Sequence, residues 1–411
     1  MKVIDRFLEY VQIETTSDPK SETSPSSACQ KNLGARLVEE LKALGLSDAA
    51  MNEYGIVTAH LKGSCPDAPC LGLLAHMDTS PDASGVVHPA MVKNYQGEDI
   101  ILSEKDDIVL SPLEFPDLKN HIGKSLVVTD GTSLLGADDK AGIAAIMSAL
   151  ETILTEDIPH GDLAIAFTPD EEIGRGTEHF DVAAFGADFA FTVDGGALGG
   201  LETQNFNAAS ATVVAHGKSI HPGSAKNAMK SAISALLLLD QLLPQEQRPE
   251  HTEGLEGFFH LHELSGNVEE ARAHYLIRDH HRPSFEKKKR LLEEAISFVS
   301  FERDLSIDLD IRDEYANMQE KILPVMAGVD VAREAILGLG LPLHEDPIRG
   351  GTDGAQLSAK GLPCPNLFTG GHNFHGPYEY IAVEDLEAST KVLVDIVRRF
   401  SSLDKSIFHT A

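Results

Sequence analysis

CLGLLAHMDTS, residues 70–80, runs apolar from Cys70 to Ala75 and then turns polar at His76 and Asp78. An unbroken apolar run of this length reads as a strand buried on both faces. The pattern recurs along the chain. LAIAF (163–167) is followed by Asp170, Glu171 and Glu172, and FAFTV (189–193) by Asp194. CPNLF (364–368) is followed by His372, His375 and Glu379, and LVV (126–128) leads to Asp138 and Asp139 in LLGADDKAG. Strands buried on both faces belong to parallel sheets covered by helices. In such sheets ligands bind beyond the carboxyl ends of the strands, so the polar clusters are expected to converge at one edge.

Helical patterns lie between these runs. Val3, Ile4, Phe7, Leu8 and Val11 share one helical face, as do Leu33, Leu37, Val38, Leu41 and Leu44, with Gly45 as a stop. Ala141 to Leu150 reads as a helix packed on the sheet. Beyond residue 205 the texture changes. Ala211–Ala215, 257–264, Ala273–Ile277 and 305–311 read as strands, and 226–243 and 284–299 as helices. Leu305, Ile307, Leu309 and Ile311 alternate with polar residues, as in an antiparallel strand with one wet face. The expectation is an α/β fold: a mostly parallel sheet flanked by helices over 1–206 and 314–411, with an inserted α+β lid and dimerisation domain over 207–313.

The chain has 411 residues, enough for a large buried core. Its 64 acidic against 34 basic side chains give a formal charge of -30. Such a surface repels nucleic acid and anionic membranes, and neither is expected as a partner. Cys29, Cys65, Cys70 and Cys364 are scattered and form no C-x-x-C pair, so they read as reduced thiols of a cytoplasmic protein. The N-terminal segment MKVIDRFLEYVQ carries charges throughout and lacks the apolar core of a signal peptide. The run from Ala235 to Leu239 is too short to span a bilayer.

Acids crowded at one edge repel one another and raise each other's pKa. Bound divalent cations remove that repulsion. Mixed histidine and carboxylate donors suit zinc, cobalt or manganese better than calcium or magnesium. Two ions can share a bridging carboxylate about 3.5–4 Å apart, polarise a carbonyl and bring a water's pKa towards roughly 7. Taken singly the clusters carry little. An H-x-D pair can simply end a strand, Glu171 and Glu172 can open a helix, and Asp138 and Asp139 can cap one. Their joint occurrence, each after its own strand, points to a metal centre.

These segments also resemble a known family. HMDTSPDASG (76–85), TDGTSLLGADDKAGIA (129–144), PHGDLAIAFTPDEEIGRG (159–176), HFDVAAF (179–185), VDGG (193–196), QNFNAAS (204–210), HPGSAKN (221–227), IRGGTDGAQLS (348–358) and GLPCPNLFTGG (361–371) follow in order. Together they are similar to the zinc aminotripeptidases of the peptidase T family, a branch of the dinuclear exopeptidases and deacylases. The resemblance implies two zinc ions. His76 and Asp194 would hold one, Glu172 and His375 the other, and Asp138 would bridge both. Asp78 would orient His76, and Glu171 would be the general base. A cis peptide is expected between Asp138 and Asp139. His221 would approach the substrate carbonyl from the lid. Arg278 and Arg349 would hold a peptide carboxylate, with a polar contact from Asn205 or Asn207. A homodimer is a further expectation.

In HGPYEY, Pro377 and Tyr378 stand where that family leads one to expect basic residues. His375 and Glu379 keep their spacing, so the departure bears on the rim of the site. His280, His281 and His372 lie near these motifs without an assigned role, and the remaining histidines read as surface or packed residues. The expected activity is removal of the N-terminal residue from tripeptides. A dipeptidase or an N-acyl amino acid deacylase would use the same metal chemistry. A metal-binding protein without catalysis would have no need of Glu171.

Overall fold

Leu71–His76 forms a strand whose every residue is buried, and the larger part of the molecule is assembled around it. The computed structural model describes residues 1–408, which cluster into two compact units. The first comprises 1–203, 320–346 and the chain from 352 on; the second comprises 204–319 and 347–351. Segment 347–351, grouped by sequence with the catalytic part, clusters with the second unit. It is tied there by Ile348 N donating to Gln204 O and by Arg349 donating to the carbonyls of Gly254 and Glu256.

The first unit holds a seven-stranded mixed sheet in the order Ala50–Met51, Val57–Leu61, Leu163–Thr168, Leu71–His76, Phe189–Gly195, Asn366–Phe368, Leu201–Glu202. The four inner strands are mutually parallel and the edges are antiparallel. Register sets the site: His76 pairs with Thr168, and Leu74 with Thr192. The chain after Thr168 and the Asp194 position therefore end level with His76. Leu126–Val128 does not join this sheet as the sequence suggests. It lies in a separate four-stranded sheet with Ala90–Val92, Tyr380–Ala382 and Gly371–His372. A three-residue apolar run signals burial but not its pairing partner.

Helix Ala137–Thr155 packs on the Leu71–His76 and Phe189–Gly195 strands. Helices Val3–Val11 and Val383–Phe400 cover its outer side. The run Ala141 to Leu150 is therefore buried on all sides, which explains its composition. No described helix is long and apolar enough to cross a membrane.

The second unit is an antiparallel sheet in the order Phe258–Gly266, Glu270–Asp279, Asn207–His216, Ser306–Tyr315. Helices Ala232–Leu242 and Arg282–Arg303 bury Leu236, Leu239, Phe285, Leu292 and Val299 against Ala211, Val213, Ala273 and Tyr275. Ile307, Leu309 and Ile311 pack against the same core. The first helix starts later than expected, at Ala232, because Asn227 turns with φ of 59° and Lys230 pairs with Lys218 in an isolated bridge.

Gly142, in the first turn of the Ala137–Thr155 helix, lets that helix meet the sheet. A Cβ there would lie 1.9 Å from the Val193 carbonyl oxygen and 2.4 Å from Asp139 Oδ1. Glycine to alanine inside a helix ordinarily stabilises by about 0.5–1 kcal/mol. Here the clash reverses the sign, and Gly142→Ala is expected to destabilise by about 1–3 kcal/mol, as overpacked cores do. Chemical denaturation checks this; an unchanged or raised midpoint would refute the close approach.

Candidate metal centre

Each polar cluster reaches the site from a different element of the first unit. His76 ends its strand, and Asp194 sits one residue before the end of another. Asp138 lies at the start of the Ala137–Thr155 helix, and Glu172 in the 3-10 turn Glu171–Ile173. His375 lies in the loop joining Gly371–His372 to Tyr380–Ala382. His76 Nε2 is 2.8 Å from Asp138 Oδ1 and 3.4 Å from Asp194 Oδ1. His375 Nε2 is 3.1 Å from Asp138 Oδ2 and 3.0 Å from Glu172 Oε2. Two donor groups result, His76–Asp138–Asp194 and Asp138–Glu172–His375, each with its donor atoms within 4.8 Å of one another. Asp138 belongs to both, one oxygen facing each histidine. The Asp138–Asp139 peptide is cis.

Electrostatics mark the same residues. Burial, joined by the Asp138 charge, pushes the Asp194 carboxyl up to about 8 despite the pull of His76. Burial likewise raises Glu171 well above the carboxylate range, with Asp194, Asp353 and Asp78 adding to it. Burial opposes ionisation of Asp138, yet hydrogen bonds donated by His375 and His76 hold its pKa below the ordinary value. Hydrogen bonds to Asp138 and Glu172 lift His375 to about 11. So many buried carboxylates need positive charge beside them. One imidazole nitrogen and two carboxylates per group form the mixed donor set that suits zinc-like divalent ions. Glu172 Oε1, buried and without a hydrogen-bond partner, is a further free acceptor in the second group. The residues present fit a pair of cations.

Around the donors stands a shell of buried acids. Asp78 is fully buried. Its carboxylate accepts from the Glu171 and Glu172 amides at 2.9 and 3.2 Å, and lies 3.4 Å from His76 Nδ1. His76 Nδ1 is nearer, at 3.0 Å, to the Asp78 carbonyl oxygen. Asp139 accepts from the His76 and Gly142 amides, both at 3.1 Å. Asp170 has φ of 59°, uncommon without glycine. It is held there by Ser26 N at 2.6 Å, by the Ser26 hydroxyl, and by Gln30 Nε2 at 2.7 Å. Sequence reading left Asp139 and Asp170 without such roles, since their partners are backbone amides or a distant loop. Glu171 belongs to neither donor group.

In the second unit, His221 caps the exposed turn Pro222–Ser224, its Nδ1 accepting from Gly223 N. Arg278 donates to Ala209 O and pairs with Glu314 at 2.9 Å. Arg349 donates to Thr252 Oγ1 and to the Gly254 and Glu256 carbonyls, and lies over Phe206. Asn207 donates to the carbonyls of Asp279 and His280 and accepts from Asn317 N. Asn205 likewise bonds backbone at Phe206 and Met318. Of the histidines without an assigned role, His372 stacks on Tyr380, His280 packs on Phe206, and His281 precedes helix Arg282–Arg303. Tyr378 packs its ring on Phe115 at 4.9 Å.

Known proteins are similar to this chain in sequence and in fold. Residues 130–399 match Peptidase family M20/M25/M40. Peptidase T of Alkaliphilus oremlandii (strain OhILAs) is 52% identical over 405 residues, covering 97% of this chain and 99% of that protein. Among solved structures, aminopeptidase PepT from Bacillus cereus ATCC 10987 has a TM-score of 0.79 at 20% identity, covering 98% of each chain. A tripeptidase from Staphylococcus aureus subsp. aureus mu50 has a TM-score of 0.78 at 22% identity, with the same coverage.

If Asp138 is shared by both groups, its loss affects both ions while loss of Asp194 affects one. Asp138→Ala is expected to leave neither ion tightly bound, and Asp194→Ala to leave the His375 group loaded. Metal content per chain after gel filtration, measured by mass spectrometry, distinguishes them; equal content in the two variants would rule out sharing.

Proposed function

We propose that this chain, which belongs to peptidase family M20/M25/M40 and within it to the peptidase T group, removes the N-terminal residue from tripeptides with two divalent cations at its site. Asp138 carries this reading. Its two carboxylate oxygens face two separate histidines, each with a further carboxylate beside it. That arrangement suits a pair of ions and has little use otherwise. His76 and Asp194 would hold one ion, Glu172 and His375 the other. Zinc is the ion we assign, from the nitrogen and oxygen donors. Two such cations would supply Lewis acidity, lowering the pKa of water and polarising the scissile carbonyl.

The chain's own groups do the rest. Glu171 lies next to a ligand but outside both donor groups. Positive charge at the two donor groups would offset the burial that raises its pKa, so that its carboxylate takes the proton from the attacking water and returns it to the leaving amine. Asp78 fixes the Glu171 and Glu172 backbone through its two accepted hydrogen bonds. It also stands beside His76 Nδ1, the nitrogen opposite the one facing Asp138. Holding the outer nitrogen of a ligating imidazole fixes its tautomer.

The second unit serves in this proposal as lid and dimerisation module. In this proposal His221 is assigned to the substrate carbonyl and Arg278 and Arg349 to the peptide carboxylate, whereas Asn207, whose carboxamide is bonded to backbone through both its nitrogen and its oxygen, is left without a substrate role. All four cysteines are free thiols, which supports the cytoplasmic location we assign.

Trialanine, its N-acetyl form, a dipeptide and an N-acetyl amino acid, assayed side by side with products weighed by mass spectrometry, test the activity. Alanine released from trialanine alone, with its N-acetyl form left intact, is expected. Turnover of only the acetylated amino acid would make the chain a deacylase. Glu171→Gln should lower kcat by at least about 10²-fold with both ions retained. Undiminished turnover in that variant would remove the base.

A further inference from the structure

Glu379 is 1% exposed and sits at the exit of the loop that carries His375. Its carboxylate reaches across to a segment more than 240 residues earlier in the chain. Oε2 accepts from the amides of Leu135 and Gly136 at 2.6 and 2.8 Å, and Oε1 accepts from the amide of Asp138 at 3.0 Å. These amides open helix Ala137–Thr155, whose N-cap is Gly136, with φ of 81° and no side chain to bond them. A carboxylate at that place satisfies donors the helix leaves open and suits the positive end of its dipole. On the loop side, Glu379 N donates to Gly376 O at 3.2 Å, and Asn373 Nδ2 donates to Tyr378 O at 3.1 Å. The loop thus closes on itself around His375, whose own φ is 62°. One buried carboxylate joins the turn that presents Asp138 to the loop that presents His375.

We infer that Glu379 is a positioning residue that locks Asp138 and His375 to each other, and so sets the affinity of the Asp138–Glu172–His375 group for its cation. This rests on the two-cation reading above. Glu379 binds no ion itself; it fixes the separation between two donors delivered by unconnected segments. The His76–Asp138–Asp194 group depends on it less, because His76 and Asp194 come from neighbouring strands of one sheet whose register already sets their spacing.

Glu379→Gln tests this. The amide keeps one acceptor oxygen and turns an NH2 donor towards backbone donors, so one side of the tie is lost. Zn2+ affinity of the second group, measured by chelator competition, is expected to weaken by about 10–100-fold, as for other groups that orient metal ligands. The first group should weaken less. With Co2+ in place of Zn2+, the absorption of the second ion should change. Lost turnover should return at high metal concentration with KM for the peptide unchanged, which a merely loosened fold would not show. Tyr380→Phe, removing a buried hydroxyl without a hydrogen-bond partner, should leave both affinities intact. Unchanged affinities in Glu379→Gln overturn the inference while the wild-type chain still binds two ions. A wild-type chain that binds no pair of ions overturns the cation reading as well. Should Glu379→Gln fail to fold, hydrogen exchange in the wild-type chain with metal chelated decides. The amides of Leu135, Gly136 and Asp138 should be protected, and exchange as fast as an exposed loop would sink the proposal.

Discussion

Asp138 offers one carboxylate to two histidines, and the molecule around it is organised to make that tolerable. A carboxylate at 13% exposure beside Asp194 and Glu172 gains little from water. Its ionised form persists because His76 and His375 each approach one of its oxygens. Neither histidine is near in sequence. His76 is set by register within the inner sheet, and His375 by a loop from the small sheet. A shift of the Leu71–His76 strand by one residue would turn its donor away, since successive side chains on a strand point to opposite faces.

Packing beneath the site works to the same end. The Ala137–Thr155 helix can deliver Asp138 beside Asp194 only if it lies close to the Phe189–Gly195 strand. Gly142 permits that contact at the level of Val193. Asp139 then ties the start of the helix to the neighbouring strand through the His76 amide. On the far side, Asp170 anchors the turn of Glu171 and Glu172 to Ser26 and Gln30, and Asp78 holds the same turn by its two amides. Asp78 and Asp139 act through backbone amides, which positions a donor more rigidly than one side chain bonding another, because the backbone has fewer soft torsions.

Much of this was legible in the sequence. His76, Glu172 and Asp194 each follow an apolar run that forms an inner strand of one sheet, and the ends of those strands bring them together, while Asp138 and His375 arrive from the start of a helix and from a loop of the small sheet. The alternation Leu305, Ile307, Leu309, Ile311 likewise announces a strand packed on one face. What stayed hidden depends on tertiary partners. Leu126–Val128 shows its burial in its composition but not that it pairs with Tyr380–Ala382. Nothing local in 347–351 shows that its backbone and Arg349 bond the Gln204 and Gly254 regions. Asn205 and Asn207 look like polar groups free for a ligand, and only the structure shows their carboxamides bonded to backbone. Glu379 reads as a spacing marker after His375, because the amides it serves are remote in the chain.

The same separation of tasks leaves Pro377 and Tyr378 apart from the donor geometry. In the loop 373–379, His375 points to Asp138 while Glu379 secures the base. Between them the chain needs only to close a turn. Proline fixes its own φ there. Tyr378 turns its ring onto Phe115 and joins the cluster of Tyr95, Leu118 and Tyr380 beneath the small sheet. A basic residue at either place would present charge at the rim; this sequence spends the positions on packing. The donor geometry is insulated from that choice, because the bonds that set it run through Glu379 and the backbone of Leu135 to Asp138. In this chain the ring contacts of Tyr378 and the bonds that hold the carboxylate facing both histidines are therefore separate.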